Sequence, residues 1–391
     1  MQINSKQLYN SLDNRIINYL RISVTDRCNL ACRYCVPKEI LPALPHDKIA
    51  RYEEIYRIVR CASQLGIKKL RITGGEPFMR KGILPFIKSL SEIDAINDIS
   101  ITTNGVLLEP NIDEVIASGI NRINISLDTL KPEKFKFISG KDHFASVWRG
   151  IMAALDKGLA PIKLNAVILR GINDDEIEAL AVLSLKYPFH VRFIEYMPMG
   201  NSAVDISQQV LIPEIRERIE KNMGTLEPVV INSNNLYCQS NSIKDMSNSP
   251  NSIKNAGSKV DASKIPINEA GPAKRYKIKG ALGEIGFISP VSSHFCDQCN
   301  RLRLTSTGHL RPCLLNNREI DLLTQMRQGI SDQTVKEIIF YAIKSKPAAH
   351  NLNIVDSVNS TDSGTSAKSE QALEKINRNN RVDTQMSTIG G

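Results

Sequence analysis

Short apolar runs recur through the first two hundred residues, each followed by an amphipathic stretch. Leu20 to Val24, Lys68 to Ile72, Ile99 to Thr102, Arg122 to Leu127, Ile162 to Ile168 and Val191 to Tyr196 have the length and β-branched content of strands. Between the first two lies Tyr52 to Leu65, where Ile55, Ile58, Val59, Ala62 and Leu65 share one helical stripe. Parallel strands need long crossover connections, and a helix after each strand supplies them, so the alternation predicts a parallel sheet covered by helices. Six units over 1–200 predict an α/β fold built as an incomplete (βα)6 barrel, short of the closed eight-stranded form.

After Gly200 the pattern changes. A connecting helix and strand take up 201–231, with the helix around Ile212 to Ile219. Asn232 to Ser263 is rich in Ser and Asn and poor in bulky apolar residues; it reads as a polar, disordered insertion spanning 232–263. Within Gly271 to Ser289, Tyr276, Ile278, Ile285 and Phe287 predict short strands opening a C-terminal domain, 264–350, that ends on the helix Thr334 to Ile343. A polar tail, 351–391, includes a second low-complexity run, Ile354 to Ala372, and closes on Gly390-Gly391.

Three strands carry a cation between apolar neighbours: Leu20-Arg21-Ile22, Leu70-Arg71-Ile72 and Ile162-Lys163-Leu164. Successive strand side chains point to opposite faces, and both faces of a parallel sheet are usually covered. If the apolar residues pack against helices, the cations point into the barrel, where an uncompensated charge costs several kcal/mol. Arg301-Leu302-Arg303-Leu304 repeats the alternation. Five inward cations predict a polyanion site, such as one for a triphosphate; the alternative is internal pairing with Glu195 and Asp128 at strand ends. Thr102 and Ser126 share the inward parity, and Gly74-Gly75 after the second strand lets the backbone approach a ligand closely.

Composition adds little beyond exclusions. Of the 391 residues 42% are hydrophobic, yet no apolar run approaches the roughly 20 residues of a membrane span. Met1 to Arg15 has no apolar signal core, so a cytoplasmic, reducing location is expected, where thiols bind metal and do not form disulfides. The net charge of +9 admits nucleic acid, but the basic residues are scattered and only 5% of residues are aromatic, which argues against stacked bases.

The cysteines decide the chemistry. Cys28, Cys32 and Cys35 lie in a loop directly after the first strand, and Cys296, Cys299 and Cys313 form a second set of three. Three thiolates can hold a four-iron cluster and leave one iron open, whereas structural zinc normally takes four ligands. A zinc-binding module completing the second set with His294 or His309 is the rival from another class. Cys61 and Cys238 receive no role.

The C-x3-C-x2-C spacing resembles the signature of radical S-adenosylmethionine (SAM) enzymes. More specifically, Thr25-Asp-Arg-Cys-Asn-Leu-Ala-Cys-Arg-Tyr-Cys35, Arg71-Ile-Thr-Gly-Gly-Glu-Pro77, Thr102-Thr-Asn-Gly105, Asn124-Ile-Ser-Leu-Asp128, Arg192-Phe-Ile-Glu195, Cys299-Asn-Arg-Leu-Arg303 and C-x2-C-x13-C resemble the motifs of the GTP 3′,8-cyclases of molybdenum cofactor biosynthesis. The resemblance implies a radical SAM barrel and two [4Fe–4S] clusters, the first on Cys28, Cys32 and Cys35, the second on Cys296, Cys299 and Cys313. It implies SAM contacts at Tyr34, Gly75, Ser126 and Met197, and GTP contacts at Arg21, Arg71, Thr102, Lys163, Arg301, Leu302 and Arg303. It places Gly390 and Gly391 in the active site with Arg301, although composition alone reads that terminus as a plain tail. A reductant such as flavodoxin or ferredoxin and a downstream cyclic pyranopterin monophosphate synthase are the implied partners of a monomer or homodimer, with no membrane or nucleic acid. Radical SAM modification of RNA or of a peptide is the alternative reading.

Overall fold

The computed structural model describes residues 15–35, 43–199, 202–229 and 271–350. The insertion expected at 232–263, the tail with Gly390 and Gly391, and Cys238 lie outside the described residues.

The first six strands are β1 (Tyr19–Ser23), β2 (Lys69–Thr73), β3 (Asp98–Thr103), β4 (Arg122–Ser126), β5 (Ile162–Ile168) and β6 (Phe189–Glu195). The helices between them are α1 (Tyr52–Gln64), α2 (Ile83–Ser91), α3 (Leu108–Ala117), α4 (Pro132–Ser139) with α5 (Phe144–Asp156), and α6 (Ile177–Lys186). All six strands run parallel in chain order, as the alternation requires. Leu20, Ile22, Leu70, Ile72, Ile99 and Ile101 turn outward and are essentially inaccessible under Ile55, Ile58 and Val59 of α1 and their counterparts. Each such side chain contributes about 1.5–3 kcal/mol of burial, which fixes the strand parity.

The C-terminal part does not form a layer of its own. It supplies α7 (Ile212–Met223), β7 (Leu226–Pro228), β8 (Lys274–Ile278), β9 (Glu284–Ile288), β10 (Arg301–Leu304), β11 (His309–Arg311), β12 (Ile320–Asp321), α8 (Leu323–Arg327) and α9 (Asp332–Lys344). Strand β9 pairs in parallel with β6 and strand β10 in parallel with β1, so the two extend opposite edges of the same sheet. The sheet order is β12-β11-β10-β1-β2-β3-β4-β5-β6-β9-β8-β7, an open barrel with eight parallel strands at its centre. The connection 289–300, between β9 and β10, therefore crosses from one edge to the other and carries Cys296 and Cys299 with it.

Charge pairs fasten the C-terminal helices to the first one. Asp332 at the start of α9 accepts from Arg57 at 2.7 Å and Arg60 at 2.6 Å, and Arg327 of α8 meets Glu54 at 2.8 Å. Among the described residues, no helix is long and apolar enough to cross a membrane.

Candidate active site

The loop after β1 is held on three sides. Gly75 N–H donates to the Thr25 carbonyl at 2.7 Å and Glu76 N–H to that of Arg27 at 2.8 Å. A Cβ on Gly75 would lie 2.3 Å from the Arg27 carbonyl oxygen, so only glycine lets the β2 loop come this close. On the other flank, Ala31 N–H and Arg33 N–H donate to the Ser139 and Ile138 carbonyls at the end of α4, at 2.8 and 3.0 Å. Tyr34 donates its hydroxyl to Asp128 Oδ2 at 2.7 Å, while Asp128 Oδ1 accepts from Val167 N–H at 2.8 Å. Burial pushes Asp128 up to about 6 against those two hydrogen bonds.

Cys28, Cys32 and Cys35 line one cavity at the C-terminal ends of the strands, together with Tyr34, Gly75 and Ser126. Burial raises all three thiols, Cys35 to about 12, and in Cys32 and Cys35 neighbouring cysteines and Asp128 add to it. Glu76, fully buried beneath them, is pushed up to about 7 by burial, opposed by its bonds from Asn104 N–H, Thr103 Oγ1 and Phe78 N–H.

A second cavity adjoins the first. Thr102, Asn165, Ile194 and Met197 line both, so they form the shared wall. Counted out to open solvent, the two run to about 1130 and about 1010 Å³. Thr102 Oγ1 and Asn165 Oδ1 are buried in that wall with no hydrogen-bond partner among the described residues. Buried polar atoms in native proteins are nearly always bonded, so both suit a polar ligand.

The register explains the charge of the second cavity. Across the parallel strands Arg303 stands beside Arg21 and Arg21 beside Arg71, three guanidinium side chains in one row. On the far side Asn165 stands beside Arg192, whose neighbour Gly286 offers no side chain; a Cβ there would lie 3.1 Å from Arg192 Cγ. Arg21 is driven well below the usual guanidinium range by burial first and then by Arg303 and Arg71; burial and Arg301 bring Arg303 to about 10. Such crowding favours an anion. The carboxylates offered as the alternative are spent elsewhere: Glu195 accepts from Ile212, Val291 and Ser292, and Asp128 from Tyr34 and Val167.

Cys296, Cys299 and Cys313 line this same cavity beside Arg301, Arg303 and Lys346. Burial alone would raise the Cys299 thiol, but Arg301 and Lys346 outweigh it and draw it down to about 6. Both sets offer three sulfurs facing a cavity, the donor set that suits an iron–sulfur cluster with one open iron. Among the described residues no group of three His, Cys, Asp or Glu is gathered so as to hold a lone metal ion. His294 and His309, the candidate fourth zinc ligands, turn Nδ1 to the Pro290 carbonyl at 3.1 Å and the Thr307 hydroxyl at 3.0 Å.

The fold thus gathers the cysteines, Tyr34, Gly75, Ser126, Met197, Thr102, Arg21, Arg71, Arg301 and Arg303 around two joined cavities. Lys163 lines a narrower cavity toward the N-terminal ends of the strands, which shares Arg21, Arg71, Arg192 and Arg301 with the second. Leu302 is different: its side chain is buried in the hydrophobic core, on the face opposite Arg301 and Arg303. Sequence reasoning passed over Arg192, Lys69 and Asn165 as site residues. Arg192 stands between Val191 and Phe193, the same signal that marked Arg21.

Comparison with known proteins agrees with this geometry. The family model of the radical SAM superfamily matches residues 22–183, and that of Molybdenum Cofactor Synthesis C matches 231–352. The chain is 43% identical over 339 residues to a GTP 3′,8-cyclase of Pelotomaculum thermopropionicum, covering 86% of this chain and 94% of that one. The chain belongs to the GTP 3′,8-cyclase family. A cyclase of Syntrophomonas wolfei is 42% identical over 340 residues, 87% of this chain and 93% of its own. The solved structure of Streptococcus suis SuiB bound to S-adenosylmethionine shares the fold, with a TM-score of 0.52 at 15% identity over 87% of this chain and 70% of that one. As a radical SAM member of the cyclase family, the protein uses an iron–sulfur cluster and SAM.

Proposed function

We propose that the two joined cavities carry out the GTP 3′,8-cyclase reaction of molybdenum cofactor biosynthesis, with SAM in the first and GTP in the second. The protein is a lyase of the radical SAM type. Cys28, Cys32 and Cys35 would hold the cluster that binds SAM, and Cys296, Cys299 and Cys313 would hold a second cluster at the GTP end. When bound, the first cluster and SAM would supply the radical chemistry by which GTP is cyclised.

The chain itself positions and shields. Arg21, Arg71, Arg301 and Arg303, with Lys163 and Arg192 below, clamp the triphosphate, so that the sugar lies at the wall shared by the cavities. Thr102 and Asn165 hydrogen-bond across that wall, where Thr102 Oγ1 and Asn165 Oδ1 have no partner among the described residues. Tyr34, held by Asp128, and Gly75 and Ser126 shape the SAM side, while Ile194 and Met197 exclude water between the reactants. Orientation and water exclusion are the protein's share in such chemistry. The electron comes from a flavodoxin- or ferredoxin-like carrier, and the product passes to a cyclic pyranopterin monophosphate synthase.

The observation that carries this reading is the shared wall between a three-cysteine cavity and a cavity walled by a row of arginines. The test is an anaerobic reaction of reconstituted protein with SAM, a reductant and each nucleoside triphosphate in turn, followed by mass. Deoxyadenosine and a cyclised nucleotide with GTP alone are expected. SAM cleavage that ignores GTP, or a cyclised product from ATP, would remove GTP as the substrate.

A further inference from the structure

Cys299 and Cys313 approach the second cavity on different segments, one just before β10 and one just after β11. A cluster needs their sulfurs at fixed separations, and antiparallel pairing of Arg303 with Arg311 secures only the far ends of those segments. On the near side a single ammonium joins them. Lys346 Nζ donates to the Arg301 carbonyl at 2.9 Å, to the Pro312 carbonyl at 2.7 Å and to the Cys299 sulfur. An ammonium has three N–H donors and no acceptor, so these three partners match its full capacity. The residue is only 3% exposed, so replacing it would strand two carbonyls and a sulfur out of water.

The residues after Lys346 reinforce the bracket. Arg15, itself buried, donates to the Cys296 carbonyl at 2.6 Å and to the Pro347 carbonyl at 2.8 Å. His350 reaches the Pro290 carbonyl with Nε2 at 3.0 Å, and its main chain hydrogen-bonds Cys296.

We propose that Lys346, at the head of the strap Lys346–His350, is a positioning residue that sets the spacing of Cys296, Cys299 and Cys313 for the second cluster. The proposal rests on the reading that these cysteines hold a cluster. It assigns Lys346 no contact with GTP.

The test uses the full chain reconstituted anaerobically as wild type, Lys346→Met, Lys346→Gln and a variant with Cys296, Cys299 and Cys313 all changed to Ala. Iron and sulfide per chain and the electron paramagnetic resonance spectra with and without GTP are the readouts. The triple variant should lose about half of the iron, as expected for one cluster of two. Lys346→Met should approach that loss while keeping the SAM-responsive signal of the first cluster. Lys346→Gln, whose amide offers two donors, should keep its iron and show a shifted signal for the second cluster. Wild-type iron and an unchanged second signal in Lys346→Met overturn the proposal; should that variant not fold, the same result in Lys346→Gln overturns it. Full iron in the triple variant instead refutes the second cluster itself, a separate failure.

Discussion

The two cysteine sets offer the same three sulfurs in opposite electrostatic settings. The first lies over Glu76 and beside Asp128, and all its thiols are held above their ordinary range. The second lies among Arg301, Arg303 and Lys346, and Cys299 is drawn down to about 6. Both carboxylates at the first are already hydrogen-bonded, Glu76 by Asn104, Thr103 and Phe78 and Asp128 by Tyr34 and Val167. Cations around the second favour the thiolate form of Cys299. The local chain differs too: the first set fits within one loop after β1, whereas the second is split between the segment before β10 and the segment after β11. Similar sets of sulfurs thus sit in surroundings of opposite charge.

The harshest break of this comparison is at the cysteines. Cys32→Ala should abolish deoxyadenosine formation altogether, whereas Cys299→Ala should still cleave SAM and lose the cyclised product. Equal loss of SAM cleavage in both would erase the distinction. Next comes the arginine row. Arg303→Ala should cost about 2–4 kcal/mol, roughly a hundredfold in kcat/KM for GTP, with iron content kept. Lost iron with unchanged turnover per cluster would make Arg303 a support of the cysteines and not of the substrate.

Milder is Asp128→Asn, which weakens the Tyr34 hydroxyl bond on the first side alone. It should raise the KM for SAM by about tenfold, the scale of one hydrogen bond to a charged group, and leave that for GTP alone. A change in both would mean that the wall moves as a unit. The gentlest probe is alkylation of the metal-free chain at pH 7, mapped by mass. Cys299, mostly thiolate above about 6, should be labelled before Cys35, whose thiol stays protonated until about 12. The sign follows from the proton: below pH 6 Cys299 gains one and its lead shrinks, and a lead for Cys35 at pH 7 would reverse the contrast.

Much of the fold was legible because its signals are local. A period of two marked Arg21, Arg71, Lys163, Arg301 and Arg303 as facing away from their apolar neighbours, and the structure turns all five inward. The same rule puts the Leu302 side chain in the core, on the face opposite Arg301 and Arg303. The six-stranded arc followed from alternation, but the seats of β9 and β10 did not. Each pairs with a strand far away in sequence, and nothing in Glu284–Ile288 or Arg301–Leu304 names its neighbour. Lys346 was hidden for the same reason. A lysine after a helix looks like any solvated surface residue until three distant acceptors close around it.

The placement of β9 and β10 also bears on how the chain is made. During synthesis β1 to β6 emerge first, with bare strand edges on both sides and the first cysteine set already complete. Unpaired edges invite pairing with other chains. The strands that cover them, and the bracket that closes the second set, come from the last segment of the described chain to leave the ribosome. A chain stopped after residue 229 would keep the first three cysteines and lack both edge covers. Such a fragment should aggregate readily, and for this protein the vulnerable interval is the time needed to translate from β6 to Lys346.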